Sequence, residues 1–253
     1  MGEISAIEEM EMDLDGGGTE LDRFLEVMPA DLRDFLHKHP KKPSLVEVVL
    51  DLGRIPLARF DSNEVEACLF SDGVSDVVTR QDLEDVTDKL EFRSDNRSGI
   101  PGTLHRISAI RNRSGDVVGI TARVGRAISG HDAMFLDLLV AAMVDNLSIL
   151  LLGKPGVGKT TTVRQMARYL ADDLNKRVLI VDTSNDIGGD GDQSHPCIGS
   201  ARRIQVPDIK YQQNIMIEAV KNHSPEILVI DEISTKEEGK VFLFITFTCS
   251  LSF

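Results

Sequence analysis

Between Thr19 and His37 the apolar residues Leu21, Phe24, Leu25, Met28, Leu32, Phe35 and Leu36 fall at three- and four-residue steps. That is the period of a helix with one buried face. Pro29 divides the helix, because its ring removes a backbone donor and clashes with the turn before it. Pro40 and Pro43 end it, and Leu45–Leu52 resumes with helical spacing up to Gly53. Short apolar runs at Ile55–Phe60 and Val65–Phe70 read as a pair of strands, and Gln81–Leu90 reads as a charged helix. Leu104–Arg111, the polar turn Asn112–Asp116 and Val117–Val124 form a hairpin pattern. Ser129 or Asp132 is placed to cap a helix that runs to about Asp145. The pattern predicts a small α+β domain over residues 19–128, which carries no sharp sign of chemistry.

The second half alternates more regularly. Ser148–Leu152 is an apolar strand, Lys159–Leu174 a helix and Arg177–Asp182 a second strand. A long Gly/Asp loop follows, then a helix at Tyr211–Asn222 and a third strand at Ile227–Ile230. Strands and helices in alternation predict a parallel sheet with right-handed crossovers, an α/β domain over residues 129–238.

Composition changes this picture at the ends. Residues 1–26 carry nine acids against Arg23 alone, and Gly16–Gly18 reads as a flexible linker, so residues 1–18 are expected to be a disordered acidic tail. The start has neither an apolar signal core nor the Arg/Ser richness of a transit peptide. A net charge of -13 excludes a nucleic-acid coat protein. Seven arginines between Arg93 and Arg126, set against Asp95 and Asp116, still leave nucleic acid open as a partner of the hairpin; a solvated face or a subunit contact is the plainer reading. No apolar run is long enough to span a membrane. Cys68, Cys197 and Cys249 are scattered, which fits buried thiols in a reducing compartment.

The chemistry gathers in the second half. Gly153-Lys154-Pro155-Gly156-Val157-Gly158-Lys159-Thr160 matches the phosphate-binding pattern G-x-x-x-x-G-K-[ST] between an apolar strand and a helix. Backbone N–H groups of such a loop turn toward phosphate oxygens, and the helix start adds the positive end of its dipole. Lys159 is expected to reach the β- and γ-phosphates, Thr160 to ligate Mg2+ and Thr161 to contact the α-phosphate. Downstream, Ile227–Ile230 runs into Asp231 and Glu232. Asp231 would hold the Mg2+ shell, and Glu232 would polarise the attacking water. The loop after Asp182 offers Asp186, Asp190 and Asp192 for metal or water, and Arg202 or Arg203 for a phosphate across a subunit boundary; an acidic surface turn is the alternative. His195 has no second ligand at metal spacing and reads as a loop hydrogen-bonder.

These residues resemble a known family. Gly125-Arg126-Ala127, LLLGKPGVGKTTTVRQMA, VDTSNDIGGDGD, HPCIGSARRIQVP and PEILVIDEISTKEE, with LDRFLEVMPADLRDFL and EVVLDLGRIPLARF before them, are similar to plant and cyanobacterial ATPases related to stage III sporulation protein AA. The resemblance spans roughly residues 20–238. It implies a RecA/AAA-like core of the ASCE type, similar to secretion ATPases and working as a homo-oligomeric ring. It assigns ATP contacts to Gly153–Thr161 and the Mg2+ and water roles to Asp231 and Glu232. A catalytic carboxylate at Asp186 is also implied, where the family usually has Glu. The family's association is with plastid development, which implies a chloroplast address; without a visible transit peptide, the cytoplasm is the alternative. The apolar stretch 239–253 is unlike the family, as is the lack of further strands and of a carboxyl-terminal single-stranded nucleic-acid-binding domain. A truncated ATPase domain is the expectation. Mg-ATP binding with hydrolysis is the reading; a non-catalytic nucleotide-holding or regulatory fragment is the competitor.

Overall fold

The computed structural model of the chain describes residues 19–61, 65–68, 77–127, 136–145, 147–154, 157–233 and 235–240. The acidic stretch 1–18, the capping candidates Ser129 and Asp132, and residues 241–253 with Cys249 lie outside these. The chain divides into two compact units, Met1–Arg126 and Ala127–Phe253.

In the first unit, Thr19 opens α1 (Glu20–Val27) with a capping box. Its hydroxyl accepts the Asp22 N–H at 3.2 Å, and the Asp22 carboxylate accepts the Thr19 N–H at 3.0 Å. Pro29 separates α1 from α2 (Ala30–Lys38). The next segment corrects the helical expectation for Leu45–Leu52, because Leu45–Asp51 is a strand, β1. Its register shifts between Leu45 and Glu47. That bulge leaves the buried Leu45 and Val48 three residues apart, which imitates a helical period; Val48 and Leu50 then alternate as a strand must.

β2 (Leu57–Phe60) and β3 (Val65–Ala67) pair antiparallel, as their apolar runs predict. α3 (Arg80–Thr87) starts from a second capping box, between Thr79 and Asp82. The hairpin of β5 (Arg106–Arg111) and β6 (Val117–Arg123) is closed by Asn112, whose side-chain oxygen accepts the N–H groups of Ser114 and Asp116 at 2.9 Å each. β4 (Arg97–Gly99) adds to β5 and completes an antiparallel sheet in the order β3-β2-β1-β6-β5-β4. Val48, Leu50, Phe60, Ile107 and Ile120 bury against Phe24, Leu25, Met28, Leu32, Leu36, Leu83 and Val86. Each such side chain contributes about 1.5–3 kcal/mol on leaving water.

The second unit contains α4 (Leu136–Val144), α5 (Lys159–Asp172), β7 (Val178–Asp182), β8 (Arg202–Gln205), α6 (Gln212–His223) and β9 (Ile227–Ile230). The strands form a parallel sheet in the order β8-β7-β9. All five residues of the central β7 are buried. Leu179 and Val181 meet Met216 and Ala219 of α6. Alternation turns Val178 and Ile180 to the opposite face, and α5 also packs on β7. β8 gave no signal of its own in the sequence. Ser148–Leu152, expected as a strand, forms none among the described residues: Leu150 and Leu152 stand 67% and 84% exposed. An apolar run becomes a strand only where a ladder receives it, and no described strand pairs with Ser148–Leu152. No described helix is long and apolar enough to cross a membrane.

Candidate functional site

The loop Gly153–Thr161 leads into the first turn of α5. Gly158 stands immediately before the helix with φ 90°, a left-handed conformation that side chains resist. Lys159, Thr160 and Thr161 fill the first turn, where no side chain caps the backbone N–H groups. Those groups and the helix dipole favour an anion. The Lys159 ammonium folds back over the loop and donates to the carbonyls of Gly153 at 2.9 Å and Lys154 at 2.8 Å. Val157 is largely exposed. Pro155 and Gly156 lie outside the described residues.

The carboxyl ends of β7 and β9 lie side by side because the strands are parallel. β7 ends in Asp182, fully buried, whose carboxylate accepts the Gly188 N–H at 2.8 Å and the Ile187 N–H at 3.4 Å. Burial raises its pKa and the charge of Asp186 adds to this, while the two N–H groups and Arg203 work against it. Past the end of β9, Asp231 accepts the Ser184 N–H at 3.3 Å. Its carboxyl is pushed up to about 7, first by desolvation and then by the charges of Asp182, Asp186 and Glu232, with the Ser184 N–H alone in opposition. Asp231 is crowded by protein yet keeps some surface open, and Glu232 is exposed. The structure therefore brings Asp186, Asp231 and Glu232 into one electrostatic neighbourhood. It adds Asp182, which the sequence had signalled only as the last residue of a strand.

The loop from Asp182 to Asp192 is held from two sides. Arg164, buried on α5, donates to the Ile187 carbonyl at 2.8 Å and the Asp186 carbonyl at 2.6 Å. Arg203 on β8 donates to the carbonyls of Gly188 at 3.0 Å, Gly189, and Gly191 at 2.5 Å. A Cβ on Gly188 would come within 2.8 Å of the Arg203 Cδ, so the close approach requires glycine. This corrects the reading of Arg203 as a group aimed across a subunit boundary: its guanidinium binds its own loop. Arg202 is exposed. Asp190 accepts the Asn185 side-chain N–H at 2.5 Å and the Gly191 N–H at 3.0 Å, and Asp192 is exposed. Among the described residues no three His, Cys, Asp or Glu side chains are grouped to hold a metal, so the three loop aspartates do not make a metal site. His195 is a loop hydrogen-bonder, with its backbone N–H donating to the Gly188 carbonyl at 2.8 Å and its ring Nδ1 accepting the Cys197 N–H at 3.1 Å.

Sequence reasoning missed Arg164, Asp182 and Gln212. Arg164 sits among the buried residues of α5, and a charge on an inward face was its available signal. Gln212, wholly buried at the start of α6, belongs to no motif.

Three arginines of the hairpin region, Arg111, Arg123 and Arg126, serve their own fold. Arg123 meets Glu47 at 2.9 Å. Arg111 donates to Asn96 at 2.8 Å and to the Gly115 carbonyl at 2.9 Å. Arg126 donates to the carbonyls of Pro43 and Leu45 at 2.6 and 2.8 Å. The hairpin thus gives the nucleic-acid reading no support. Cys68 and Cys197 are free and buried.

Residues 149–238 match the family model described as ATPase family associated with various cellular activities (AAA). Protein SEEDLING PLASTID DEVELOPMENT 1 of Arabidopsis thaliana is 54% identical over 221 residues, covering 87% of this chain and 31% of that protein. The ycf45 protein of Porphyra purpurea is 50% identical over 221 residues, 87% of this chain and 37% of its own. The chain thus spans about a third of the length of these two curated relatives. Among solved structures, the Legionella pneumophila ATPase DotB matches with a TM-score of 0.55 at 15% identity, covering 87% of this chain and 65% of that one, which is a likeness of fold.

Proposed function

The chain belongs to the family of P-loop ATPases related to stage III sporulation protein AA, which takes in the seedling plastid development and ycf45 proteins, and from that premise we propose that it binds Mg-ATP at Gly153–Thr161 and hydrolyses it. The observation that carries this reading is the placing of Asp182, Asp186, Asp231 and Glu232 at and past the ends of two parallel strands, where burial first and then the neighbouring charges push the Asp231 carboxyl up to about 7. A cation bound beside Asp231 would offset the cost of ionising that buried carboxyl. Mg2+ fits, because it is commonly held by one or two protein oxygens and completes its shell with water and substrate phosphate. Thr160 and Asp231 would supply those oxygens, and the ion would neutralise charge on the phosphate oxygens.

The protein's own groups do the rest. The backbone N–H groups of Gly153–Thr161, Pro155 having none, cradle the phosphates. Lys159 leaves the carbonyls of Gly153 and Lys154 and places its ammonium on the β- and γ-phosphates. Glu232, exposed and therefore reachable, orients a water and draws its proton during attack. Asp186 adds a second carboxylate to that edge.

A plastid setting follows from the printed name of the Arabidopsis relative. A homo-oligomeric ring follows from the family reading, with the exposed Arg202 available at such a boundary. Titration of the purified chain with Mg-ATP tests the binding step. The expected result is saturable binding that Lys159→Ala weakens about a hundredfold or more; equal binding by both chains would contradict the site.

A further inference from the structure

Gln212 is the first residue of α6 and has no exposed surface. A buried carboxamide is costly unless both of its ends find partners. Here both do. Its Oε1 accepts the Thr183 hydroxyl at 2.7 Å, and its Nε2 donates to the Glu232 carbonyl at 2.5 Å. The orientation is fixed by chemistry, since a backbone carbonyl can only accept and so must face the nitrogen.

Thr183 follows β7, and Glu232 lies two residues beyond β9. One side chain therefore ties together the two strand ends that carry the acidic groups. Pairing of β7 with β9 runs only as far as Val181 and Ile230. Past that point the Asp231 N–H reaches the Val181 carbonyl at 3.3 Å, and the Asp231 carboxylate takes the Ser184 N–H at 3.3 Å. The next peptide, that of Glu232, is held by Gln212.

We propose that Gln212 is a positioning residue: by holding the Glu232 peptide against Thr183, it aims the Glu232 carboxylate and links that aim to the loop after β7. This rests on the reading of Glu232 as the group that polarises water. A residue that only fills space at the head of α6 would give a different response to substitution, because its loss would lower stability without changing the rate per folded molecule.

The test uses the full chain. Gln212→Leu keeps the side-chain volume and deletes both hydrogen bonds. Gln212→Glu, ionised, still accepts from Thr183 but cannot donate to Glu232. Thr183→Val removes the other arm alone. Binding of a fluorescent Mg-ATP analogue is expected to change less than about twofold in all three, while single-turnover hydrolysis falls about tenfold or more in both Gln212 variants and less than about threefold in Thr183→Val. A rate per folded molecule unchanged in Gln212→Leu overturns the proposal. A wild-type chain that binds Mg-ATP without turnover would count against the role of Glu232 itself. Amide exchange over residues 231–233 is therefore followed in the same samples. Gln212→Leu should speed it about tenfold or more while β7 exchanges as before, and unchanged exchange overturns the placement whatever the activity.

Discussion

Asp231 holds a proton in the folded chain that it gives up when the chain unfolds. Its folded pKa of about 7 stands against an ordinary 3.8. The stability linked to that proton is whole below about pH 4 and is lost as the pH rises to about 7. Asp231→Asn removes this loss. The variant should melt about 3 °C or more above the wild type at about pH 8, with little difference at about pH 4; a gain of equal size at both would place the effect elsewhere. The residue pair Asp231-Glu232 was legible in the sequence because an apolar strand leads into it after a phosphate-loop pattern. Asp182 was not, because a carboxylate that closes a strand looks the same in sequence whether it is solvated or buried. Only the fold of Ile187 and Gly188 back over it reveals which.

The loop after β7 is the element whose reading changed most. By sequence its aspartates fit either a site for metal or water or an acidic surface turn, yet its order comes from two arginines that bind carbonyls. A guanidinium provides five donors in a fixed fork, and Arg203 uses them on Gly188, Gly189 and Gly191. Arg203→Met strands these bonds and should lower the free energy of unfolding by about 2 kcal/mol or more in urea titration. A loss under about 0.5 kcal/mol would mean that water replaces the guanidinium freely. The amphipathic helices, the hairpin and the α5–β7–α6–β9 alternation were legible, since each rests on local periodicity. β1 was misread because its bulge set Leu45 and Val48 at a helical interval. β8 was invisible because its pairing with β7 is a long-range contact, and Ser148–Leu152 shows the converse, an apolar run that no ladder receives.

At the scale of the whole molecule, the two units should answer acid in opposite directions. In the first, His105 is buried, its Nε2 donating to the Glu20 carbonyl at 2.8 Å and its Nδ1 accepting the Gly125 N–H at 3.1 Å. Desolvation, with help from Arg126 and Arg23, lowers its pKa to about 4. The stability tied to the neutral ring is present above about pH 6.5 and is lost as the pH falls toward 4. In the second unit, Asp231 has the reverse dependence. Acidification from about pH 7 to 5 should therefore weaken amide protection in β5 and β6 and strengthen it in β7, once intrinsic exchange rates are allowed for. Protection that moves in parallel in both sheets would contradict this assignment of the two groups.

The family and the fold converge on nucleotide chemistry, and the measurement that reaches it most directly is single-turnover hydrolysis of Mg-ATP by the purified chain beside Glu232→Gln. The account predicts release of phosphate by the wild type, and in Glu232→Gln Mg-ATP bound with similar affinity but hydrolysed about a hundredfold or more slowly. Hydrolysis at the same rate in both chains would contradict the role of Glu232, and tight binding without any phosphate release from the wild type would leave the chain a holder of nucleotide and contradict the proposed hydrolysis.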